Sequence, residues 1–269
     1  MPANSPVTLG ARLCRLLGCA LLFAWGGAAA QTSDAPPSAT QLAQRLSQSA
    51  FSTMAPGPVA APWRIVGLPK QRMPLTQFDI VTDAGTAVVR LLADASYGNL
   101  AFDTGSVRLS PQAQLRWRWR LDQGLSGSDL RRKEGDDTPI KVCALFDMDL
   151  AGMSFGESSR LRFARAMTGE PLPAATLCYV WDRLLPVGTE LPNVFSARVR
   201  YVVASSGAAR PGQWLALERR LGFDFLRAFG HETREIPALI ALVVGADADN
   251  TGARSLAFVG DLTLLPLPP

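Results

Sequence analysis

The sequence predicts an all-β protein, an antiparallel β-sandwich carrying one or two short helices over residues 63–269. Three observations predict it. Short runs of alternating or continuous apolar side chains, about ten of them, recur from Trp63 onward and are separated by turn residues. Few helical stretches lie between them, so a parallel sheet built from βαβ units is not indicated. Of the 269 residues 48% are hydrophobic and 19% charged, enough for a sizeable core and too little charge for a disordered chain.

The chain opens with a targeting signal. Arg12 and Arg15 precede an uncharged run from Leu16 to Ala30 that ends Ala28-Ala29-Ala30-Gln31. A basic start, a short apolar run and small residues before a cleavage point describe a secretory signal peptide over residues 1–30. The mature protein is therefore expected in the periplasm or the medium. Fifteen apolar residues at helical rise reach roughly 22 Å, short of the ~30 Å hydrocarbon core. The run Leu16-Leu17-Gly18-Cys19 has the form of a lipobox, but the apolar stretch follows Cys19 instead of preceding it. No later segment is apolar for 18 residues, so no membrane span is expected once the signal is removed.

Residues 31–62 read as a Pro-rich linker with a short helical segment. Leu42, Leu46 and Phe51 fall near helical spacing within Thr40–Phe51, with Arg45 and Gln48 opposite. The strands follow. Phe78–Thr82 and Thr86–Leu92 flank Asp83-Ala84-Gly85 as a hairpin. Leu115–Leu121 alternates strictly, with Trp117 and Trp119 on the apolar face and Arg116, Arg118 and Arg120 on the other. Further strands are expected at 140–146, 176–181, 194–204, 213–219, 238–244 and 255–264, and helices at 157–167 and 223–229. With no repeat and no internal linker, 63–269 reads as one domain.

Charge and cysteine content bound the function. Two of the 27 basic residues lie in the first thirty, leaving 25 against 23 acidic ones in the mature chain. That balance points away from nucleic acid. One histidine, His231, and two cysteines beyond residue 30 exclude Cys/His zinc modules. Cys143 and Cys178 sit in strands expected at the centre of the sandwich. In an oxidising compartment they either form a disulfide or remain buried thiols.

The order Leu115–Trp119, Lys133-Glu134-Gly135-Asp136-Asp137, Val142–Asp147 and Cys178-Tyr179-Val180-Trp181 resembles the bacterial family labelled domain of unknown function 3047. Arg198-Val199-Arg200, Trp214, Glu218-Arg219, Phe223–Phe229, Asp247–Gly252 and Gly260-Asp261-Leu262 continue the likeness over roughly residues 63–265. Two positions depart from it: Cys178 stands where an asparagine is expected, and Cys143 where an aromatic is. The family implies no activity. A remoter similarity is to galactose-binding-like jelly rolls, which implies a jelly-roll sandwich and nothing about chemistry.

Three constellations are candidates for chemistry. Arg116, Arg118 and Arg120, with Arg198 and Arg200, would line a cationic groove for anionic sugars if their strands were neighbours; otherwise they are the solvated side of a sheet. Trp181 and Trp214 are candidate stacking surfaces, or core. Asp247, Asp249 and Asn250, joined by Asp261, offer oxygen ligands for a structural Ca²⁺, or form an Asx-type turn, and Asp136 and Asp137 read as a solvated loop. No catalytic residue is selected. Glu134, Asp147 and Glu218 form no evident pair, and His231 has no nucleophile motif beside it. The expectation is a monomeric exported binding module for an anionic glycan or another envelope component. Two alternatives stay open, a polysaccharide lyase or glycoside hydrolase on the same scaffold and a structural envelope protein without a small ligand.

Overall fold

A computed structural model describes residues 36–153, 155–168 and 173–267. Residues 1–30, where the signal peptide is expected, Cys19 included, lie outside them. The chain runs α1 (Ala39–Gln48), β1 (Gly57–Pro58), β2 (Arg64–Val66), β3 (Gln77–Asp83), β4 (Thr86–Asp94), β5 (Tyr97–Val107), β6 (Gln114–Gln123), β7 (Lys141–Asp147), α2 (Phe155–Thr168), β8 (Ala175–Asp182), β9 (Glu190–Pro192), β10 (Val199–Ser206), β11 (Leu215–Arg220), α3 (Leu221–Phe229), β12 (Ala238–Asp247), β13 (Arg254–Val259) and β14 (Thr263–Leu265). Two seven-stranded sheets result, making the β-sandwich. The first is ordered β1-β3-β4-β13-β6-β11 with β14 beside β6, the second β2-β5-β12-β7-β8-β10-β9. Among the described residues no helix is long and apolar enough to cross a membrane.

Alternation decides which face of each strand is buried. On β6, Leu115, Trp117, Trp119 and Leu121 enter the core. The second sheet answers with Phe102 of β5, Val142, Ala144 and Phe146 of β7, and Leu177, Tyr179 and Trp181 of β8. Aromatic contacts cross the sandwich: Trp117 lies 5.3 Å from Tyr179 and Trp119 6.3 Å from Trp181 between ring centroids. Every residue of β8 is buried, because its other face carries a second apolar cluster. That cluster joins Cys143, Cys178, Val180, Tyr201 and Val203 beneath Leu130.

The hairpin forms as the turn residues require. Ala84 and Gly85 both have positive φ, 47° and 81°, the two-residue turn whose twist matches paired strands. The segment expected as a linker is part of the fold: Leu42, Leu46 and Phe51 are buried in the main core, and Ser38 and Gln41 cap α1 reciprocally.

Three expectations need correction. The sandwich is not wholly antiparallel, since β10 lies parallel to β8 with Tyr201 opposite Cys178. The run 255–264 is two strands, broken at Gly260-Asp261-Leu262. Strand β5, with eleven residues the longest, was not expected.

Candidate functional site

The outer face of the first sheet presents the β6 arginines. Arg120 is almost buried, with ion pairs to Asp83 at 2.8 Å and Asp122 at 2.9 Å, and its guanidinium lies 4.1 Å from the Phe258 ring centroid. Arg116 donates to Glu218 at 2.6 Å, directly across the β6–β11 ladder. Arg118 differs. Among the described residues its guanidinium has no hydrogen bond or ion pair, and it lies 4.6 Å from the Trp214 ring centroid.

Trp214 is fixed from its other end, donating Nε1–H to Asp83 Oδ2 at 2.8 Å. The Arg120 hydrogen bond, and then that of Trp214, hold the Asp83 carboxyl below its ordinary value. Gly260 makes room for the Arg118 stem, because a Cβ there would lie 2.7 Å from Arg118 Cγ. Beside this arrangement runs a groove of about 560 Å³ lined by Arg116, Arg118, Leu217, Glu218, Asp261 and Thr263. It contains two guanidiniums, of which only that of Arg118 bonds no carboxylate although its charge reaches Asp83, with two carboxylates and a hydroxyl. Such a set can recognise an anion and a hydroxylated framework together.

Arg198 and Arg200 are not part of it. Arg200 lies on β10 of the opposite sheet and Arg198 immediately precedes that strand, so the two arginine sets form no common groove. Arg198 grips Glu232 at 2.5 and 3.0 Å, and Arg200 reaches Glu232 and the Ala228 carbonyl. With the carboxylate side chain only 9% exposed, this is a buried clasp of β10 onto the segment after α3. Burial is the main influence on Arg200, lowering its pKa. Trp181 also leaves the site: it is buried and donates to the Gly207 carbonyl at 2.9 Å.

The acidic residues sort differently from the sequence expectation. Asp261 accepts from Ser52 N at 2.9 Å and Ser52 Oγ at 2.5 Å, and it borders the groove instead of joining Asp247 and Asp249. Asn250 donates its amide Nδ2–H to Asp137 and to the Asp136 carbonyl. Asp136 and Asp137 are not solvated, being 4% and 1% exposed.

They meet Asp247 and Asp249 in a buried polar cluster around Lys141. Asp247 accepts from Lys141 Nζ at 2.7 Å and from Thr138. Asp137 accepts from Thr251 N at 2.7 Å and from Asn250. One oxygen each of Asp137, Asp247 and Asp249 lies within 4.8 Å of the others, and these three would be the residues to hold a cation. Burial, then the neighbouring Asp247, pushes Asp136 up to about 6. Burial also raises Asp249, helped by Asp247 and Asp137. Burial opposes the charge of Lys141, and Asp247 overrides it, raising the lysine above its ordinary value. Lys141 and Asp137 were missed as partners because the contacts span more than a hundred residues.

Cys143 and Cys178 stand opposite each other on β7 and β8 and form a disulfide, Cα–Cα 4.0 Å. The bond lies in the outer cluster of the second sheet, away from the groove.

The family model described as protein of unknown function (DUF3047) matches residues 61–263. The chain belongs to the DUF3047 family. No curated protein matches it. The DUF3047 fold is similar to the family 11 carbohydrate-binding module from Clostridium thermocellum in complex with a β-1,3-1,4-mixed-linked tetrasaccharide, at 8% identity, TM-score 0.36, over 77% of this chain and 89% of that one. It is also similar to endoglucanase cel12A from Rhodothermus marinus, at 13% identity, TM-score 0.40, over 76% and 97%. A third likeness is to endoglucanase 3 of family GH12 from Trichoderma harzianum, at 8% identity, TM-score 0.36, over 77% and 99%. At these levels the similarity concerns the sandwich alone.

Proposed function

We propose that this DUF3047 protein is an exported binding module that holds a glycan of the cell envelope in the groove beside Arg118. The observation that carries the reading is the Arg118 guanidinium, over the Trp214 ring and with no hydrogen bond or ion pair to a carboxylate among the described residues. Arg116 and Arg120, on the same face, each have a carboxylate. A guanidinium so placed is oriented in advance and keeps its fork of N–H donors for a carboxylate or sulfate. Glu218, Asp261 and Thr263 supply acceptors and a hydroxyl for sugar hydroxyl groups.

The basic, apolar and small-residue pattern of residues 1–30 supports the export part of the reading. A glycan array probed with the exported protein, beside Arg118→Ala and Trp214→Ala, tests the reading. The parent protein should retain a defined set of glycans and both variants should lose them. An array on which the parent retains nothing, or on which both variants bind as the parent does, overturns it.

A further inference from the structure

We propose that the groove continues past the Arg116–Glu218 ion pair into a second anion-binding subsite, so that the ligand is a linear acidic oligosaccharide. The proposal rests on the glycan reading and deepens it. A second hollow of about 350 Å³ opens at the start of α3, lined by three arginines (Arg219, Arg220 and Arg227) with Glu218, Asp224, Gln114 and Phe223. Glu218 borders both hollows, so they share one wall.

The arginines of the second hollow repeat the logic of the first. Arg219 is neutralised by Asp224 through two bonds of 2.8 Å, and Arg227 pairs with Glu190. Arg220 has no carboxylate among the described residues. Its one side-chain hydrogen bond goes to the Gln112 amide at 3.4 Å, and its guanidinium lies 4.5 Å from the centroid of the Phe223 ring. Phe223 is itself 42% exposed. Each hollow thus has one guanidinium that bonds no carboxylate among the described residues and is set over an aromatic ring.

Their spacing follows from the register. Arg118 stands opposite Ala216, Arg116 opposite Glu218, and Arg220 opposite Gln114. The two free arginines are therefore four residues apart along the ladder, about 13 Å at strand rise. That exceeds the screening length of about 8 Å at physiological salt, so the two charges need not share one anion. They suit two acidic groups on non-adjacent sugars of one chain, each held by charge-assisted hydrogen bonds. The paired Arg116–Glu218 level between them meets the intervening sugar hydroxyls.

Calorimetric titration with digalacturonide, hexagalacturonide and neutral cellohexaose tests this. The hexagalacturonide should bind about tenfold or more tightly than the dimer, because one chain reaches both subsites. Arg220→Ala should lower hexamer affinity about tenfold while changing the dimer by no more than about twofold, and Arg118→Ala should weaken both. Arg64→Ala, on the opposite sheet, should change neither. Arg220→Gln, with thermal melting as a fold check, repeats the measurement with a longer polar side chain in place.

Cellohexaose binding as tightly as hexagalacturonide would overturn the acidic selectivity and leave the glycan reading standing. Unchanged hexamer affinity in both Arg220 variants would overturn the second subsite alone. Inorganic polyphosphate binding more tightly than hexagalacturonide would overturn the sugar as the carrier of charge. Failure of every glycan to bind would overturn this proposal and the reading beneath it.

Discussion

The Lys141 ammonium donates to Asp247 at 2.7 Å in a site where the two side chains are only 7% and 5% exposed. Asp136, Asp137 and Asp249 close the same region, tying the loop before β7 to the end of β12. A buried pair of this kind adds little over an apolar pair, but breaking it leaves one charge unsolvated. Here the lysine faces several carboxylates, so its loss is the more damaging. Lys141→Met should lower the unfolding free energy by about 3–5 kcal/mol, read from the denaturant midpoint. A change below about 1 kcal/mol, the range of an exposed pair, would show that the cluster is solvated.

Asp136 gives the protein a pH dependence of opposite sign to that of a salt-bridged carboxylate. Burial raises it from 3.8 to about 6 in the folded state, so folding favours its protonated form. Its contribution to stability is fully present below pH 3.8 and is lost as pH rises through 6. Asp249, also raised by burial, adds in the same direction. Asp83 and Asp129 are lowered by their arginine hydrogen bonds and act only below the ordinary carboxylate range. Stability should therefore be higher at pH 5 than at pH 7.5, by about 1–3 kcal/mol. Asp136→Asn should flatten the difference. Equal denaturant midpoints for the parent protein at the two pH values would remove the assignment.

The Cys143–Cys178 disulfide closes a loop of sequence separation 35. Replacing both cysteines with serine should cost about 2–4 kcal/mol of stability, as for natural disulfides of this span. Unfolded, unreduced protein should take up no thiol label at either position. Full labelling would show that the thiols are free.

Much of the first sheet is legible in the sequence. Leu115–Leu121 alternates so regularly that its buried and solvent faces follow from period two, and the Ala84-Gly85 turn sets the hairpin register. Strand β5 is hidden because Gly98, Asn99, Asp103 and Gly105 interrupt its pattern. Its backbone is extended by pairing with β12, not by propensity.

The site was half legible for the same reason. That Arg116, Arg118 and Arg120 share a face is a local fact. That Arg118 alone lacks a carboxylate depends on Glu218, Asp83 and Asp122, of which Glu218 is 102 residues from its partner. Arg198 and Arg200 were misplaced because a parallel β8–β10 pairing, which no local spacing announces, puts them in the other sheet. Asp261 follows β13 closely in sequence, yet its side chain is drawn to Ser52, 209 residues away.

The Glu232 clasp should be a stability element. Glu232→Ala removes the carboxylate shared by two buried guanidiniums and leaves Arg198 only its longer 3.3 Å pair with Glu157, and should cost about 3 kcal/mol. Glycan binding should be unaffected, since the clasp lies on the other sheet. Loss of binding in a variant that still melts cooperatively would place Arg198 and Arg200 back in the ligand site.

The groove itself is tested most directly by the tryptophan indole N–H signals of a protein spanning residues 31–269 in a nitrogen-15 correlation spectrum, titrated with hexagalacturonide. Trp63, Trp117, Trp119 and Trp181 are buried, whereas Trp214 stands beside the groove, its N–H held by Asp83. The Trp214 signal should move with the titration, and Trp214→Ala should identify it by its disappearance. A saturating titration that leaves the Trp214 signal in place and moves only backbone signals of the second sheet would contradict the assignment of the site.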